Sequence, residues 1–415
     1  MPHRNSWTLP AALTLLTILS APAWSQENPL RPTPPREASS CPREQTYAQF
    51  GPATALQEGP GEAKPIDLPA LDTPEQQKEF VTSVFAMTKT ASAREDYEQL
   101  ITLCEHGMQA NMSDAYAEYL TKLAGWSYNR RGESKAEQAT VLARQGKVDE
   151  ASKWDAQALA DFETAVKLDP TRWKSVHNRG VSLALVGEYE QALRDFSKTI
   201  ELQPGYSNAW FNRAEIRYEL ERYDDAIADY TEALRLEPED AGLHISRGHA
   251  YFQSRRFQSA LQDYDQAVQL DPENAVAVAN RADAYRSLGM WQESAADYRR
   301  AIQLDEKLGR AYQSAAWLMA TCPDERFRNA KLALEAAQRA IQLDGEKDFR
   351  YLDTLAVAYA NAGEFEQAKA AVSKALAICP AEHEPALAKR LDLFDAEKPY
   401  RQEMRTATRE APPTR

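Results

Sequence analysis

A proline recurs every 34 residues through the middle of the chain, each time at the end of a similar four-residue pattern. The pattern reads KLDP, ELQP, RLEP and QLDP and ends at Pro170, Pro204, Pro238 and Pro272. The sequence QLDE at 303–306 keeps the phase and has Glu306 in the proline position. Proline ends helices because it lacks a backbone N–H. A fixed period of this length predicts an array of short structural repeats.

Small and aromatic residues hold fixed places between these prolines. One small-residue position holds Gly180, Ala214, Gly248 and Ala282, and a second holds Ala192, Ala226, Ala260 and Ser294. An aromatic position holds Phe196, Tyr230, Tyr264 and Tyr298. Small side chains let two antiparallel helices approach closely, and an aromatic ring fills the groove between them. Each repeat is therefore predicted to be a helix, a turn and a second helix.

This order of small and aromatic residues, closed by a proline at a 34-residue spacing, resembles the tetratricopeptide repeat (TPR). The resemblance covers roughly residues 73–395. It implies an all-α fold, a right-handed α-solenoid of helix–turn–helix repeats. It also implies that the first helix of each repeat lines a concave surface, where a partner would bind.

Departures from the period predict how the array is divided. In one repeat Gly132 and Phe162 are 30 residues apart instead of 16, so two helices that meet near Gly146 should each be longer by about two turns. The stripe of Leu387, Leu391 and Phe394 predicts a helix that caps the open end. The predicted segments are a degenerate helical hairpin at 73–112, an expanded repeat at 113–172, four regular repeats at 173–306, two enlarged repeats at 307–380, a capping helix at 381–395 and a disordered tail at 396–415.

The N-terminal region is predicted to lie outside the array. Residues 1–25 resemble a signal peptide, with an apolar run that is shorter than the roughly 20 residues a membrane span needs. Cleavage is expected after Ser25 or after Ala23, and an uncleaved anchor is the alternative. Residues 26–72 contain nine prolines and are predicted to be a disordered linker. The mature chain is therefore expected to be exported, periplasmic or secreted, without a membrane span.

Two charged columns run through the repeats. The residue before the first small position is Arg179, Arg213, Arg247 or Arg281, and the residue before the aromatic is Asp195, Asp229, Asp263 or Asp297. The expanded repeat has Arg131 and Asp161, whereas the last two repeats lose both members together. This coupled gain and loss favours an ion pair between the two helices of a repeat. A row of arginines that binds anions is the alternative.

The candidate binding residues come from the inward positions that the resemblance implies, namely the second, fifth, sixth, ninth and twelfth of each repeat. They form an apolar and aromatic patch with polar edges and a row of amides. Spaced amides can bind the backbone of an extended peptide, or they can tie neighbouring helices together, and both readings remain open. The candidates are Asn178, Phe211, Asn212, Tyr218, Ile245, His249, Phe252, Asn280 and Arg286.

The sequence shows no pattern that carries catalysis or binds a cofactor or metal. It lacks the P-loop, GxGxxG, GxSxG and HExxH patterns. Its formal net charge of −13 argues against a nucleic-acid partner. The prediction is a non-enzymatic scaffold or adaptor that binds a protein or peptide outside the cytoplasm. The alternative is a structural component that self-associates or takes part in envelope assembly.

Four cysteines in an exported chain raise the question of disulfides. Cys322 and Cys379 are expected at opposite edges of the array, too far apart to bridge. A bond between Cys41 and Cys104 is conceivable because Cys41 belongs to the predicted linker. Free, buried thiols are the expectation at the other positions.

Overall fold

The structure, a computed structural model, describes residues 68–403, and within that range it contains seventeen α-helices, one short 3-10 helix and no β-strand. The helices follow one another as helix–turn–helix repeats, which confirms the predicted all-α repeat solenoid. The chain divides into two compact units, Met1–Glu221 and Arg222–Arg415. The predicted signal peptide at 1–25 and most of the predicted linker lie outside the described residues, as does Cys41.

The first unit holds seven of the helices. They are α1 (Pro74–Thr88), α2 (Arg94–Gln109), α3 (Asp114–Arg144), α4 (Val148–Leu168), α5 (Trp173–Leu185), α6 (Tyr189–Leu202) and α7 (Ser207–Glu219).

The start of α1 follows from its sequence. Thr73 accepts a hydrogen bond from the backbone N–H of Gln76, whose side chain accepts one from the backbone N–H of Thr73, and Pro74 stands at the first helical position. This is a capping box, formed by the residues TPEQ at 73–76. The start of α2 lies near the residues SARE at 92–95. The helix there begins after Ala93, and the carboxylate of Asp96 accepts from the N–H groups of Ser92 and Ala93.

The core of the N-terminal hairpin includes the end of the predicted linker. Leu71 is 8% exposed and packs in the apolar cluster that α1, α2 and the start of α3 share. The carbonyl of Pro69 lies 2.8 Å from Nε2 of His106. The prediction of a disordered linker is therefore wrong for 68–72, because Leu71 finds an apolar partner surface on these helices.

The expanded repeat confirms the longer helices. The second helix α4 has 21 residues where α6 has 14, which is about two turns more. The first helix α3 has 31 residues where α5 has 13, and the turn lies at Gln145–Lys147 as predicted. The sequence analysis missed a further extension of α3 at its N-terminus, from Asp114, which packs against α2.

The second unit holds ten helices. They are α8 (Tyr223–Leu236), α9 (Ala241–Gln253), α10 (Phe257–Leu270), α11 (Ala275–Ser287), α12 (Trp291–Leu304), α13 (Gly309–Thr321), α14 (Ala330–Asp344), α15 (Phe349–Asn361), α16 (Phe365–Ile378) and α17 (Glu384–Asp395).

The helix α17 and the segment that follows it both pack against the C-terminal end of the second unit. The capping helix α17 buries Leu387 and Phe394 against the preceding repeat. The enlarged turn after α13 contains the 3-10 helix Glu325–Phe327. Residues 396–403 do not form a disordered tail, since they return to α13 and make hydrogen bonds to its end. The predicted tail is therefore wrong for 396–403, and 404–415 lie outside the described residues.

The predicted ion pairs between the helices of one repeat form in both units. In each, the guanidinium donates two hydrogen bonds of 2.6–2.9 Å to the two carboxylate oxygens, as the planar Arg group allows. The confirmed pairs are Arg131–Asp161, Arg179–Asp195, Arg247–Asp263 and Arg281–Asp297. Arg213 belongs to the first unit and Asp229 to the second, and the pairing expected for them stays a prediction.

The described cysteines, Cys104, Cys322 and Cys379, are all free thiols. Cys104 is fully buried, and burial together with the charge of Glu105 raises the pKa of its thiol to about 12. A thiol in such surroundings stays protonated and unreactive.

Candidate partner-binding face

We use the term first-helix face for the surface formed by the second, fifth, sixth, ninth and twelfth residues of the first helices. In the first unit these helices include α5 and α7, and in the second they are α9, α11, α13 and α15. Neighbouring first helices pack side by side, as α5 and α7 do, and likewise α13 and α15. Asn178, Phe211, Asn212 and Tyr218 lie in the first unit. Ile245, His249, Phe252, Asn280 and Arg286 lie in the second.

A hydrogen bond recurs on this face between the sixth residue of one repeat and the fifth residue of the repeat before it. In the first unit, the amide of Asn178 donates to Asn129 at 3.1 Å. There too, Nδ2 of Asn212 lies 3.0 Å from Nε2 of His177. In the second unit, Gln313 donates to the hydroxyl of Thr354 at 2.7 Å. In the first unit, therefore, both candidate amides tie neighbouring first helices together, as the second reading of these residues proposed.

Asn280 breaks this pattern. The fifth position of the preceding repeat is Ile245, which has no hydrogen-bonding group and packs in an apolar cluster with α11. Asn280 is 1% exposed, and its Nδ2 is one of the few buried side-chain atoms in the described chain without a hydrogen-bond partner. Its Oδ1 accepts instead from Nη2 of Arg310, at 2.7 Å. The sixth-position amide of α11 is thus left with an unused donor.

Arg310 and Asn280 belong to a charged cluster between α11 and α13. The carboxylate of Asp283, in a residue 8% exposed, accepts from the hydroxyl of Tyr298 at 2.6 Å and from Nη2 of Arg286 at 3.3 Å. Its other oxygen accepts from Nη2 of Arg310 at 2.9 Å. Two guanidinium groups therefore share one carboxylate, and the cluster carries an excess positive charge in an acidic chain.

The electrostatics of the cluster agree with this excess. Burial alone would raise the pKa of Asp283, but the charges of Arg310 and Arg286 outweigh it and lower the pKa. Burial and the neighbouring carboxylate raise the pKa of the Tyr298 hydroxyl. Burial, together with the charge of Arg310, lowers the pKa of His249 to about 4. His249 is therefore neutral at pH 7, and the guanidinium groups supply the positive charge here.

The apolar candidates of the second unit, Phe252 and Ile245, pack against other side chains of that unit. The ring of Phe252 packs edge to face with Phe257, with centroids 5.2 Å apart. Ile245 packs against α11. Exposed apolar surface is supplied by a residue that the sequence analysis did not single out, Val276, at the second position of α11 and 41% exposed.

Sequence reasoning selected three members of the cluster, His249, Asn280 and Arg286, and the structure brings them together around Asp283. It missed Arg310, whose side chain is 46% exposed and therefore the accessible part of the cluster. The signal was present, because Arg310 stands at the second position of its repeat, which is one of the inward positions.

Residues 68–403 lack two further kinds of site. No group of three or more His, Cys, Asp or Glu side chains is arranged to hold a metal ion there. None of the helices described in that range combines the length and the apolar character needed to cross a membrane.

Family models match part of the chain. One described as "TPR repeat" matches residues 214–254, and models described as "Tetratricopeptide repeat" match 241–274, 275–308 and 349–382. No curated protein matches the sequence.

Solved structures with related helical arrays share little sequence with the chain. A tetratricopeptide repeat protein from Parabacteroides merdae ATCC 43184 is 18% identical, with a TM-score of 0.45 over 64% of this chain and 98% of that one. The APC/C hetero-tetramer Cut9–Hcn1 is 15% identical, with a TM-score of 0.47 over 78% and 56%. YrrB, titled a TPR protein with an unusual peptide-binding site, is 20% identical, with a TM-score of 0.34 over 55% and 98%. The family matches support the assignment of the repeats in this chain to the tetratricopeptide repeat family.

Proposed function

We propose that this chain is a non-enzymatic interaction scaffold, and that its second unit binds an extended peptide segment of a protein partner on the first-helix face of α11 and α13. The observation that supports this most directly is the pair of donors at Asn280 and Arg310. The amide of Asn280 has an unused buried donor, and the side chain of Arg310 is 46% exposed although two hydrogen bonds hold its guanidinium in place.

The chemistry of the ligand follows from these donors. Both groups donate hydrogen bonds, and the cluster has more positive than negative charge. It therefore suits an acceptor, either a peptide carbonyl or an acidic side chain. Arg310 is held by Asn280 and Asp283 before a ligand arrives, so that little side-chain entropy is lost on binding. Val276 offers apolar contact on the same face.

We further propose that the partner is met outside the cytoplasm. This part of the proposal rests on the resemblance of residues 1–25 to a signal peptide. Intact-mass measurement of the chain from an exported fraction tests it. A mature N-terminus at Gln26 or Trp24 is the expected result, and a retained Met1 in that fraction would contradict cleavage.

The binding proposal is tested by capture of partners on immobilised full-length chain. Arg310→Gln removes the charge but keeps a polar side chain, and we expect capture to weaken by about ten- to a hundredfold, since a charged hydrogen bond is worth roughly 1.5–3 kcal/mol. Arg299→Gln is the matched control, because Arg299 is an exposed arginine on the second helix α12. Equal loss in both variants, or in neither, would contradict the proposed site.

The alternative of a self-associating component makes a different prediction. Light scattering after size-exclusion chromatography would then show a mass that rises with concentration. A monomer at all concentrations is the result we expect.

A further inference from the structure

The end of helix α13 is completed by a segment that is distant in sequence. The last four carbonyls of an α-helix have no partner within the helix. In α13 two of them accept from backbone N–H groups of the following turn. The other two accept from the C-terminal segment. The carbonyl of Ala320 accepts from Nη1 of Arg401 at 3.0 Å, and that of Thr321 accepts from the backbone N–H of Gln402 at 2.8 Å.

Tyr400, the residue before Arg401, makes an aromatic contact. The ring of Tyr400 lies against Trp317, the ninth residue of its repeat and thus part of the first-helix face, with centroids 5.9 Å apart. The guanidinium of Arg390, on α17, lies 4.9 Å from the centroid of Tyr400 and 5.3 Å from that of Trp317. A cation within about 6 Å of a ring is attracted to its face. Tyr400 is therefore held by a second ring and a cation at once.

A sharp turn brings the segment to this place. Two residues after the end of α17, Glu397 lies in the left-handed region, at a φ of 52°. The N–H of Lys398 donates to the carbonyl of Leu393 at 2.8 Å, and that of Glu397 donates to Phe394 at 3.0 Å. This is the hydrogen-bond pattern of a Schellman motif. The chain after Glu397 thus leaves the helix axis and reaches α13.

The same place contains polar atoms that the segment leaves unpaired. Three of the six buried side-chain atoms without a hydrogen-bond partner in the described chain are Oδ1 of Asp353, Nε of Arg390 and Oε1 of Gln402. Asp353 is 6% exposed, and its other oxygen lies 3.3 Å from Nη1 of Arg390. Buried polar atoms are normally paired, and each exception requires an explanation.

We propose that α13, α15 and α17 form a peptide-binding groove, and that the chain's own segment Tyr400–Gln402 occupies it as an intramolecular ligand. We call this site the C-terminal groove and define it by Trp317, the carbonyls of Ala320 and Thr321, Asp353 and Arg390. It takes an extended segment in which an aromatic residue is followed by arginine. A partner segment of that kind, with a donor in reach of Oδ1 of Asp353 and an acceptor in reach of Nε of Arg390, would pair the two groove atoms that the internal segment leaves unpaired.

The groove selects this pattern for physical reasons. The aromatic residue fits between Trp317 and Arg390. The arginine meets helix-end carbonyls, where the helix dipole favours a cation. The following backbone N–H caps the last carbonyl of α13. This proposal is independent of the site at Arg310, which uses other residues.

The segment is part of the same chain, so it competes with any partner at a high effective concentration, of the order of millimolar for a short connection. A free peptide should therefore bind the native chain weakly and bind better once the internal segment is disabled. The full-length chain with Tyr400→Ala and Arg401→Ala is the variant in which the internal segment is disabled.

The first test uses fluorescence anisotropy with a labelled peptide of residues 398–403, KPYRQE. We expect the double variant to bind it about tenfold or more tightly than the native chain does. A peptide of scrambled sequence should not bind, and adding Trp317→Leu to the double variant should abolish binding while helical circular dichroism is retained. Arg310→Gln should leave the peptide affinity unchanged, which separates this site from the proposed partner site.

The second test needs no variant. Hydrogen exchange of the native chain should show protection at Gln402, because its N–H is bonded to Thr321, and excess KPYRQE peptide should reduce that protection. Protection that is unchanged at saturating peptide, or a double variant that binds the peptide no better than the native chain, would overturn the proposal and leave a fixed structural cap of α13.

Discussion

Arg281 and Asp297 form a bidentate ion pair between α11 and α12, with N–O distances of 2.6 and 2.9 Å. The same guanidinium also reaches sixteen residues backwards, where Nη1 donates to Asp265 on α10 at 3.1 Å. Arg247 repeats this arrangement. Its guanidinium donates to Asp263, sixteen residues later in the chain, and to the hydroxyl of Thr231, sixteen residues earlier. Each arginine thus joins the two helices of its repeat and also fixes that repeat on the preceding one.

Removing one member of such a pair should cost more than removing both. Arg247 and Asp263 are suited to the test because their side chains are 20% and 5% exposed and the backward partner is uncharged. Asp263→Ala leaves the mostly buried guanidinium of Arg247 without its carboxylate partner. We therefore expect a loss of about 3 kcal/mol in the free energy of unfolding. The double change Arg247→Leu with Asp263→Ala, which imitates Leu355 and Ala371 of the last repeat, should cost less.

A double-mutant cycle in denaturant unfolding measures this coupling. Additive costs of the two single changes would contradict the pairing as an energetic unit. They would also revive the alternative of a row of arginines that binds anions.

Glycine at the first small position should be interchangeable with alanine only where the facing ring leaves room. A Cβ built on Gly248 would lie 2.6 Å from Cε1 of Tyr264, whereas one built on Gly180 would lie 3.1 Å from Phe196 and Asp195. We expect Gly248→Ala to destabilise by roughly 1–3 kcal/mol through overpacking. Gly180→Ala should cost less, because its Cβ would meet its neighbours at the longer distance, where the preference of the helix for alanine, about 1 kcal/mol at both positions, offsets more of the strain. Thermal unfolding of both variants checks the order, and equal costs would contradict it.

His177 should make stability depend on pH. Burial lowers the pKa of this 3% exposed side chain to about 4, and the contact with Nδ2 of Asn212 requires an unprotonated Nε2. The unfolded chain, with a histidine pKa near 6.5, binds the proton first. The stabilisation is therefore complete above about pH 6.5 and is lost as the pH falls towards 4, at up to about 1.4 kcal/mol per pH unit.

The difference in unfolding free energy between the native chain and His177→Gln isolates this effect. We expect that difference to shrink between pH 6.5 and 4. A difference that stays constant over this range would show that His177 is not buried in the neutral form.

The period of the sequence was sufficient to predict the helical repeats, because proline, small residues and aromatic rings act locally on each hairpin. It was sufficient for the ion pairs too, since Arg and Asp appear and disappear together. It could not predict that residues 396–403 return to α13. The hydrogen bonds of that contact join residues 81 positions apart. The residues that make the contact, Tyr400 and Arg401, lie in a segment that occurs once in the chain and not in every repeat.

The candidate site was predicted in part for the same reason. The inward positions follow from the repeat, so Asn280 and Arg286 could be selected. Whether an amide is free or tied depends on the residue facing it from the preceding repeat. Asn212 faces His177, whereas Asn280 follows a repeat with Ile245 at that position. That distinction needs the register between neighbouring helices, which the structure supplies.

The most direct test of the proposed scaffold function is photo-crosslinking from the first-helix face of the second unit. A photoreactive phenylalanine analogue is placed at Val276 of α11, and the control carries it at Leu304 of α12, which is an apolar residue of similar exposure, 38% against 41%. In full-length chain incubated with the exported fraction, we predict a partner adduct from position 276 and none from position 304. Adducts of equal yield from both positions, or adducts from position 304 alone, would contradict the account.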